Sequence, residues 1–194
     1  YLLKCYNAGE LASPEWGTLL GNLFMLQDVI SQKPNVLSAA YMGNGVLWSL
    51  SYEWWFYMLY YVLATRIPAD KINKWVSIMV VTAAATYLIY PFIANRLMMY
   101  FAIWWIGVRF AETYLRGGAF SFKQILPYAG VLLVICGILG LNLYLNFGYT
   151  KVYTYPLVAY PFIELRHFVF AIMVLFGSIA WYNLKWVCFD ALFG

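Results

Sequence analysis

The chain has 194 residues, of which 64% are hydrophobic, 21% are aromatic and only 10% are charged. A soluble domain carries about 25% charged residues, so this composition excludes an ordinary soluble domain and indicates a protein of the lipid bilayer. The net charge is a modest +4, and no basic stretch interleaved with aromatic residues is present, which argues against nucleic-acid binding.

Apolar segments separated by charges and turn residues predict a series of helices. A short helix over residues 15–28 comes first, because Ser13, Pro14 and Glu15 form a helix start signal. A polar loop over residues 27–45 follows. The predicted long helices cover residues 48–65, 75–94, 97–111 with an amphipathic continuation to 115, 124–147 and 166–184. A polar, Tyr-rich loop over residues 148–164 precedes the last helix, and a short tail over residues 185–194 follows it.

Most of these segments are long enough to cross a bilayer as helices. The predicted fold is therefore an all-α, polytopic transmembrane bundle of about five to six helices, forming one transmembrane domain over residues 1–194. The chain opens at Tyr1 without an initiator Met and closes at Gly194 soon after a helix. We therefore expect an interior piece of a longer protein, truncated at both ends. A multi-pass arrangement follows from the number of apolar segments, and a bacterial inner membrane is the location we expect for it.

The distribution of cations predicts the orientation. Eight of the twelve lysines and arginines fall on the side that carries the loops at residues 66–74 and 116–123. Because positive charges collect on the cytoplasmic side, these two loops are expected in the cytoplasm and the loops at residues 27–45 and 148–164 outside.

The run from Trp48 to Tyr57, WSLSYEWWFY, places the carboxylate of Glu53 inside an aromatic apolar helix. A charge in such a helix costs roughly 2.5–3.5 kcal/mol, so it usually serves a function. Helical spacing predicts that one polar stripe is formed by Ser49, Glu53, Phe56, Tyr57 and Tyr60, with Trp48, Trp55 and Leu59 turned away from it. This stripe is interpreted either as the wall of a substrate path or as a structural polar clasp between helices.

The same helix resembles a known family. Its pattern Trp-Ser-Leu-x-x-Glu-x-x-Phe-Tyr, formed by Trp48, Ser49, Leu50, Glu53, Phe56 and Tyr57, is similar to the signature of the acyltransferase-3 family of integral membrane carbohydrate O-acyltransferases. The order of elements is also similar, with Asn22-Leu23-Phe24 and a polar loop before the motif. Residues 100–111 resemble a later helix of the family.

The resemblance implies transfer of an acyl group, often acetyl, from an acyl-CoA-type donor to a surface or exported glycan. The partners it implies are membrane lipid, the glycan acceptor and the acyl donor, with no metal and no nucleic acid. The family histidine would lie on a helix before Tyr1, so no catalytic residue is assigned within this chain, and residues 1–194 alone are expected to be inactive.

The candidate substrate-path or structural polar site consists of Trp48, Ser49, Glu53, Tyr57, Arg166 and Arg96. A carboxylate at membrane depth needs a partner. We expect Glu53 to pair with Arg166 as the first choice or Arg96 as the second, because a guanidinium binds a carboxylate bidentately and stays charged.

His167 is the only histidine, and it follows Glu164 and Arg166. It is interpreted either as an interfacial residue or as a general base oriented by Glu164. The three cysteines, Cys5, Cys136 and Cys188, form no metal-binding pattern. The alternative function for the chain is a transporter or flippase half whose intramembrane carboxylate carries protons, which inverted repeats would support; none is visible.

Overall fold

The computed structural model describes residues 16–118, 121–146 and 158–183, and over these ranges the protein is all-helical. The helices are α1 (Trp16–Leu23), α2 (Leu47–Arg66), α3 (Ile72–Ile89), α4 (Ile93–Leu115), α5 (Phe122–Leu145) and α6 (Phe162–Asn183). A short 3-10 turn, Tyr41–Gly43, lies in the connection between α1 and α2. The predicted all-α helix bundle is confirmed.

Two helix boundaries differ from the sequence expectation because prolines set them. Helix α3 ends at Ile89 rather than at residue 94, since Tyr90 precedes Pro91 and is held in an extended conformation. Helix α6 begins at Phe162, directly after Pro161, which is a favourable residue beside a helix start. Glu164 therefore lies inside the first turn of α6 and not in a loop.

Of the other predicted boundaries, the end of α4 is confirmed and the end of α1 is not. Helix α4 ends at Leu115 as expected, and Gly117 follows it with a φ of +66°, the left-handed conformation that glycine adopts readily. The N–H of Gly118 donates to the carbonyl of Thr113 at 2.9 Å and closes this helix end. Helix α1 is shorter than predicted. The start signal at Ser13–Glu15, the tail at residues 185–194 and most of the 148–164 loop lie outside the described residues.

The packing joins the helices into one bundle. Helix α3 packs against α4 and α5, α5 packs against α6, and α2 packs against α4. The interior contains fully buried apolar side chains such as Val80, Met99 and Leu132. Among the described residues, three helices are long and apolar enough to cross a membrane: α3, α5 and α6.

Candidate functional site: a buried charge cluster

Four charged side chains meet inside one end of the bundle. Asp28 and Lys33 come from the connection between α1 and α2, Arg96 comes from the first turn of α4, and Glu164 comes from the first turn of α6. We call these four residues the charge cluster. All four are buried, and their formal charges sum to zero. Buried charges are tolerated when they are paired and hydrogen-bonded, so the arrangement requires specific partners.

Asp28 is the centre of the pairing. Its Oδ1 accepts from the Lys33 ammonium at 2.8 Å and from the backbone N–H of Val29 at 2.8 Å. Its Oδ2 accepts from the hydroxyl of Tyr52 at 2.8 Å and lies 3.1 Å from Nη2 of Arg96. The N–H groups of Nη2 do not point at Oδ2, so the contact between Arg96 and Asp28 is an ion pair and not a hydrogen bond. Both carboxylate oxygens of Asp28 are therefore occupied.

Lys33 lies in a ring of aromatic side chains. Its Nζ is 4.6 Å from the ring centroid of Trp48, 4.8 Å from that of Tyr52 and 5.9 Å from that of Tyr100. Cation–π attraction is strongest at such desolvated sites. Burial lowers the pKa of the Lys33 ammonium, and the neighbouring Asp28 carboxylate acts in the opposite direction. The residue thus anchors the α1–α2 connection against α2 and α4.

Arg96 lies between two tyrosine–carboxylate pairs. One pair is Tyr52 with Asp28, and the other is Tyr87 with Glu164, in which the Tyr87 hydroxyl donates to Oε1 at 2.7 Å. Arg96 interacts electrostatically with all four of these groups. Its Nη1 also donates to the carbonyl of Pro34 at 3.0 Å.

Three atoms of the cluster keep unused hydrogen-bonding capacity. Within the described ranges, Nε and Nη2 of Arg96 and Oε2 of Glu164 have no hydrogen-bond partner, although all three atoms are buried. An unpaired buried polar atom is costly, so such atoms call for a functional explanation. The cluster is therefore paired in charge, but its hydrogen bonding is incomplete among the described residues.

His167 connects the cluster to the surface. It lies one turn beyond Glu164 on α6 and is half-buried. Its Nδ1 is 2.7 Å from the hydroxyl of Tyr100, and its Nε2 is 3.4 Å from Nη2 of the exposed Arg166. Tyr100 is also edge-on to Tyr52, at a centroid distance of 5.6 Å. The imidazole thus contacts the aromatic wall of the cluster on one side and an exposed cation on the other.

The connection between α1 and α2 folds back into the bundle. The backbone carbonyl of Gln27 accepts from the Ser51 hydroxyl at 2.9 Å, and the carbonyl of Met25 accepts from the indole of Trp55 at 2.9 Å. The side chain of Gln27 donates to the carbonyl of Leu47 at 2.9 Å. Irregular backbone at membrane depth is tolerated where protein covers it. The segment was predicted as an outward-facing polar loop, but it supplies two members of the cluster.

The predicted ion pair of Glu53 with Arg166 or Arg96 is wrong. Glu53 is exposed and forms no ion pair with any residue that the structure describes. Arg96 pairs with Asp28 instead, and the exposed Arg166 contacts His167. The expectation assumed that the carboxylate of α2 faces inward, whereas the loop carboxylate of Asp28 takes the interior position.

The predicted stripe on α2 is rotated relative to the structure. The buried residues of α2 are Ser51, Tyr52, Phe56 and Leu63. Of the predicted site, Trp48 does contact the cluster through Lys33, whereas the Ser49 hydroxyl donates to the carbonyl of Val46, the residue just before α2, at 3.1 Å. Tyr57 is 56% exposed and lies edge-on to Trp104. Helix α2 is aromatic on all sides, so its sequence gives no polar contrast from which the inward face could be read.

Sequence reasoning therefore placed two residues of the site, Trp48 and Arg96, in the candidate polar site and considered His167 with Glu164 as one alternative. The missed residues are Asp28, Lys33, Tyr52, Tyr87 and Tyr100. A usable signal existed for the acidic residues, because Asp28 and Glu164 each sit at the border of an apolar segment, where a carboxylate is costly unless it is paired.

No candidate metal centre accompanies this cluster: among the described residues, no three His, Cys, Asp or Glu side chains could hold a metal ion together.

An apolar groove of about 420 Å³ lies between α2 and α4 and includes Leu26, Phe56 and Leu97 in its lining. The ring of Phe56 also packs edge-on against Tyr52 at a centroid distance of 6.1 Å. Phe56 thus lies between the groove and Tyr52, which hydrogen-bonds to Asp28.

These features define a helix bundle with membrane-length helices and a buried, charge-neutral polar site at one end. No protein-family model, curated protein or solved structure matches this chain.

Proposed function

We propose that the chain belongs to a multi-pass membrane O-acyltransferase, which moves an acyl group, often acetyl, from an acyl-CoA-type donor to a surface or exported glycan. The proposed location is a bacterial inner membrane, with the charge cluster at the outer end. The observation that carries the proposal is the buried charge cluster beside the half-buried His167. The acyltransferase-3-like motif lies on α2, which contributes Trp48 and Tyr52 to the surroundings of the cluster. The motif residue Trp48 itself lies against Lys33.

The chemistry needs three features that this arrangement offers. Acyl transfer requires a proton acceptor for the glycan hydroxyl, polar groups for the reacting carbonyl and a path that excludes water. In this proposal the half-buried imidazole of His167 serves as the proton acceptor, and the buried charges of Arg96 and Glu164 supply the electric field at the reacting carbonyl. The apolar groove, whose lining includes Phe56, is suited to the hydrocarbon part of an acyl donor.

The test compares glycans from cells with and without the gene that encodes this protein. Mass spectrometry and NMR of the purified surface glycan should show an ester that disappears on deletion and returns on complementation. Membranes from the complemented cells should also transfer label from [¹⁴C]acetyl-CoA to de-esterified glycan. Unchanged esterification in both assays would refute the proposal.

A second candidate function is a transporter or flippase half that uses an intramembrane carboxylate to carry protons. Glu164 favours it, since this carboxylate is fully buried in a membrane-length helix and its Oε2 is unpaired within the described residues. Proteoliposomes separate the two functions. Proton uptake that needs Glu164 and proceeds without any acyl donor would favour transport, whereas label transfer from acetyl-CoA would favour the enzyme.

A further inference from the structure

The charge cluster divides into two neutral halves. Asp28 and Lys33 lie five positions apart in the connection between α1 and α2, and their side chains contact each other at 2.8 Å. Arg96 and Glu164 lie in the first turns of α4 and α6. Each half holds one cation and one carboxylate. Because an unpaired buried charge is strongly destabilising, this division lets the connection leave the bundle without stranding a net charge inside.

The half on the helices has unused capacity for pairing with itself. Among the described residues, Arg96 forms an ion pair with Asp28 and none with Glu164. Nε and Nη2 of Arg96 have unused donors, and Oε2 of Glu164 is an unused acceptor. The two side chains interact electrostatically, and the hydroxyl of Tyr87 interacts with both. A guanidinium binds a carboxylate through parallel hydrogen bonds, so these unused atoms are complementary.

The half in the connection lies on a loop, residues 28–37. The backbone N–H of Asp28 donates to the carbonyl of Ser38 at 3.0 Å and closes the base of this loop. Three hydrogen bonds tie the loop to the helix starts of α4 and α6: Nη1 of Arg96 to the carbonyl of Pro34 at 3.0 Å, the side chain of Asn35 to the carbonyl of Pro91 at 2.8 Å, and the N–H of Tyr160 to the carbonyl of Gln32 at 2.8 Å. The loop therefore covers the ends of two helices that carry the other half of the cluster.

Backbone strain accumulates in the same connection. Within the described ranges, residues other than glycine have a positive φ only there: Met25 at +53°, Asn35 at +51° and Met42 at +53°. This left-handed conformation is unfavourable for residues with a side chain, and it persists where surrounding contacts impose it. Contacts with the bundle, and not the preference of the backbone itself, therefore hold the connection in its docked form.

We propose that residues 28–37 form a lid that opens as Arg96 exchanges Asp28 for Glu164. In the closed state Arg96 pairs with Asp28 and donates to the carbonyl of Pro34. In the open state Nε and Nη2 of Arg96 donate to the carboxylate of Glu164, and Asp28 leaves together with Lys33. The interior is neutral in both states. Opening exposes the first turns of α4 and α6, and this movement does not depend on the acyl transfer proposed above.

A static cluster makes the opposite statement about Glu164. If the cluster only clasps the bundle, every buried carboxylate stabilises the closed loop, and the loss of either one loosens it. With exchange of partners, Asp28 holds the lid closed and Glu164 stabilises the open state. Glu164→Gln should therefore keep the lid closed for more of the time, although the same substitution lowers the stability of the whole protein.

Hydrogen exchange at single amides of the protein in lipid nanodiscs measures the opening. The reporter is the N–H of Tyr160, because its acceptor is the carbonyl of Gln32 in the lid. The reference is the N–H of Val80 in the buried part of α3. In the wild-type protein the reporter should exchange faster than the reference, through a local opening. Equal protection of the two amides would mean that the loop leaves only on global unfolding, and the lid would be overturned.

The variants then separate a lid from a clasp. Glu164→Gln should slow the exchange of Tyr160 by at least about tenfold, because a hydrogen bond to a charged group contributes at least this factor. Asp28→Asn should speed the exchange, which shows that the reporter follows the lid, and Glu53→Gln should leave it unchanged. Faster or unchanged exchange in Glu164→Gln would show a static clasp and overturn the lid. If Glu164→Gln does not fold, Glu164→Asp decides by the same criterion, since it keeps the charge and shortens the reach to Arg96.

Discussion

Arg96 and Asp28 form an ion pair across 3.1 Å with both side chains completely buried. The pair joins α4 to the connection between α1 and α2, two parts of the chain that are distant in sequence. Arg96 strengthens the link by donating to the carbonyl of Pro34 in the same connection. The consequence is that the irregular segment before α2 is held inside the bundle from the side of α4.

Arg96→Met should destabilise the protein by about 3–5 kcal/mol, because breaking a buried pair leaves Asp28 without one of its cations. The thermal unfolding of the purified protein in detergent measures the effect. Arg109→Met is the matched control, since Arg109 also pairs with a carboxylate, that of Glu112, but both side chains are partly exposed. Arg109→Met should lower the free energy of unfolding by only about 0–1 kcal/mol. Equal losses for the two variants would contradict the importance of the buried pair.

Tyr52→Phe should cost about 1–3 kcal/mol, because the hydroxyl of Tyr52 donates to Asp28 at 2.8 Å and accepts from Lys33 at 3.1 Å. The substitution keeps the ring that faces the ammonium and removes only the hydroxyl. Tyr57→Phe makes the same change on the same helix at a mostly exposed position, and it should change the free energy of unfolding by less than about 0.5 kcal/mol. A larger effect at Tyr57 than at Tyr52 would mean that the inward face of α2 is misassigned.

The fold was largely predictable from the sequence because each long helix is a continuous apolar segment bounded by prolines, glycines or charges. The short apolar segment of α1 and the glycine that ends α4 were also visible. The boundaries at Pro91 and Pro161 were not predicted. Apolar residues continue beyond Pro91, so the segment reads as one helix, and the charged Glu164 follows Pro161, so the start of α6 reads as loop.

The site was much less predictable, for a physical reason. In water a polar loop residue is expected to stay solvated, but Asp28 and Lys33 are stabilised by contacts with Tyr52 and Arg96 that come from distant helices. Such pairing depends on tertiary structure, and no local spacing reports it. Glu53 lies within an aromatic run, a pattern that predicts a buried carboxylate, yet the structure exposes it.

Gly21 should be essential for docking the α1–α2 connection onto α1. A Cβ at this position would lie 2.4 Å from Oγ of Ser38, which is far closer than van der Waals contact. Gly21→Ala should therefore destabilise the protein by about 1–3 kcal/mol and increase hydrogen exchange in residues 24–40. Gly17→Ala, in the same helix with nothing within 4 Å of the added Cβ, should be stabilising by about 0.5–1 kcal/mol. If Gly21→Ala leaves the hydrogen-exchange protection of residues 24–40 unchanged, this docking is ruled out.

The orientation predicted from the cation bias can be tested with single cysteines at two exposed positions, Asn44 and Lys71. In a background in which Cys5, Cys136 and Cys188 are replaced by serine, an impermeant thiol reagent added to intact cells should label Asn44→Cys. Lys71→Cys should react only after the membrane is opened, because positive loops stay in the cytoplasm. The reverse labelling pattern would invert the topology.

Glu164 and Glu53 offer the sharpest comparison in the chain, because both carboxylates lie near the start of a long helix but only Glu164 is buried. Glu164→Gln removes the charge that balances Arg96 and Lys33 and weakens the short hydrogen bond from Tyr87. We expect a loss of about 1–3 kcal/mol in the free energy of unfolding, since the amide cannot replace a carboxylate between these groups. Glu53→Gln should change it by less than about 0.5 kcal/mol. Thermal unfolding in the same detergent measures both variants, and a larger loss for Glu53→Gln would place the essential carboxylate on α2 after all.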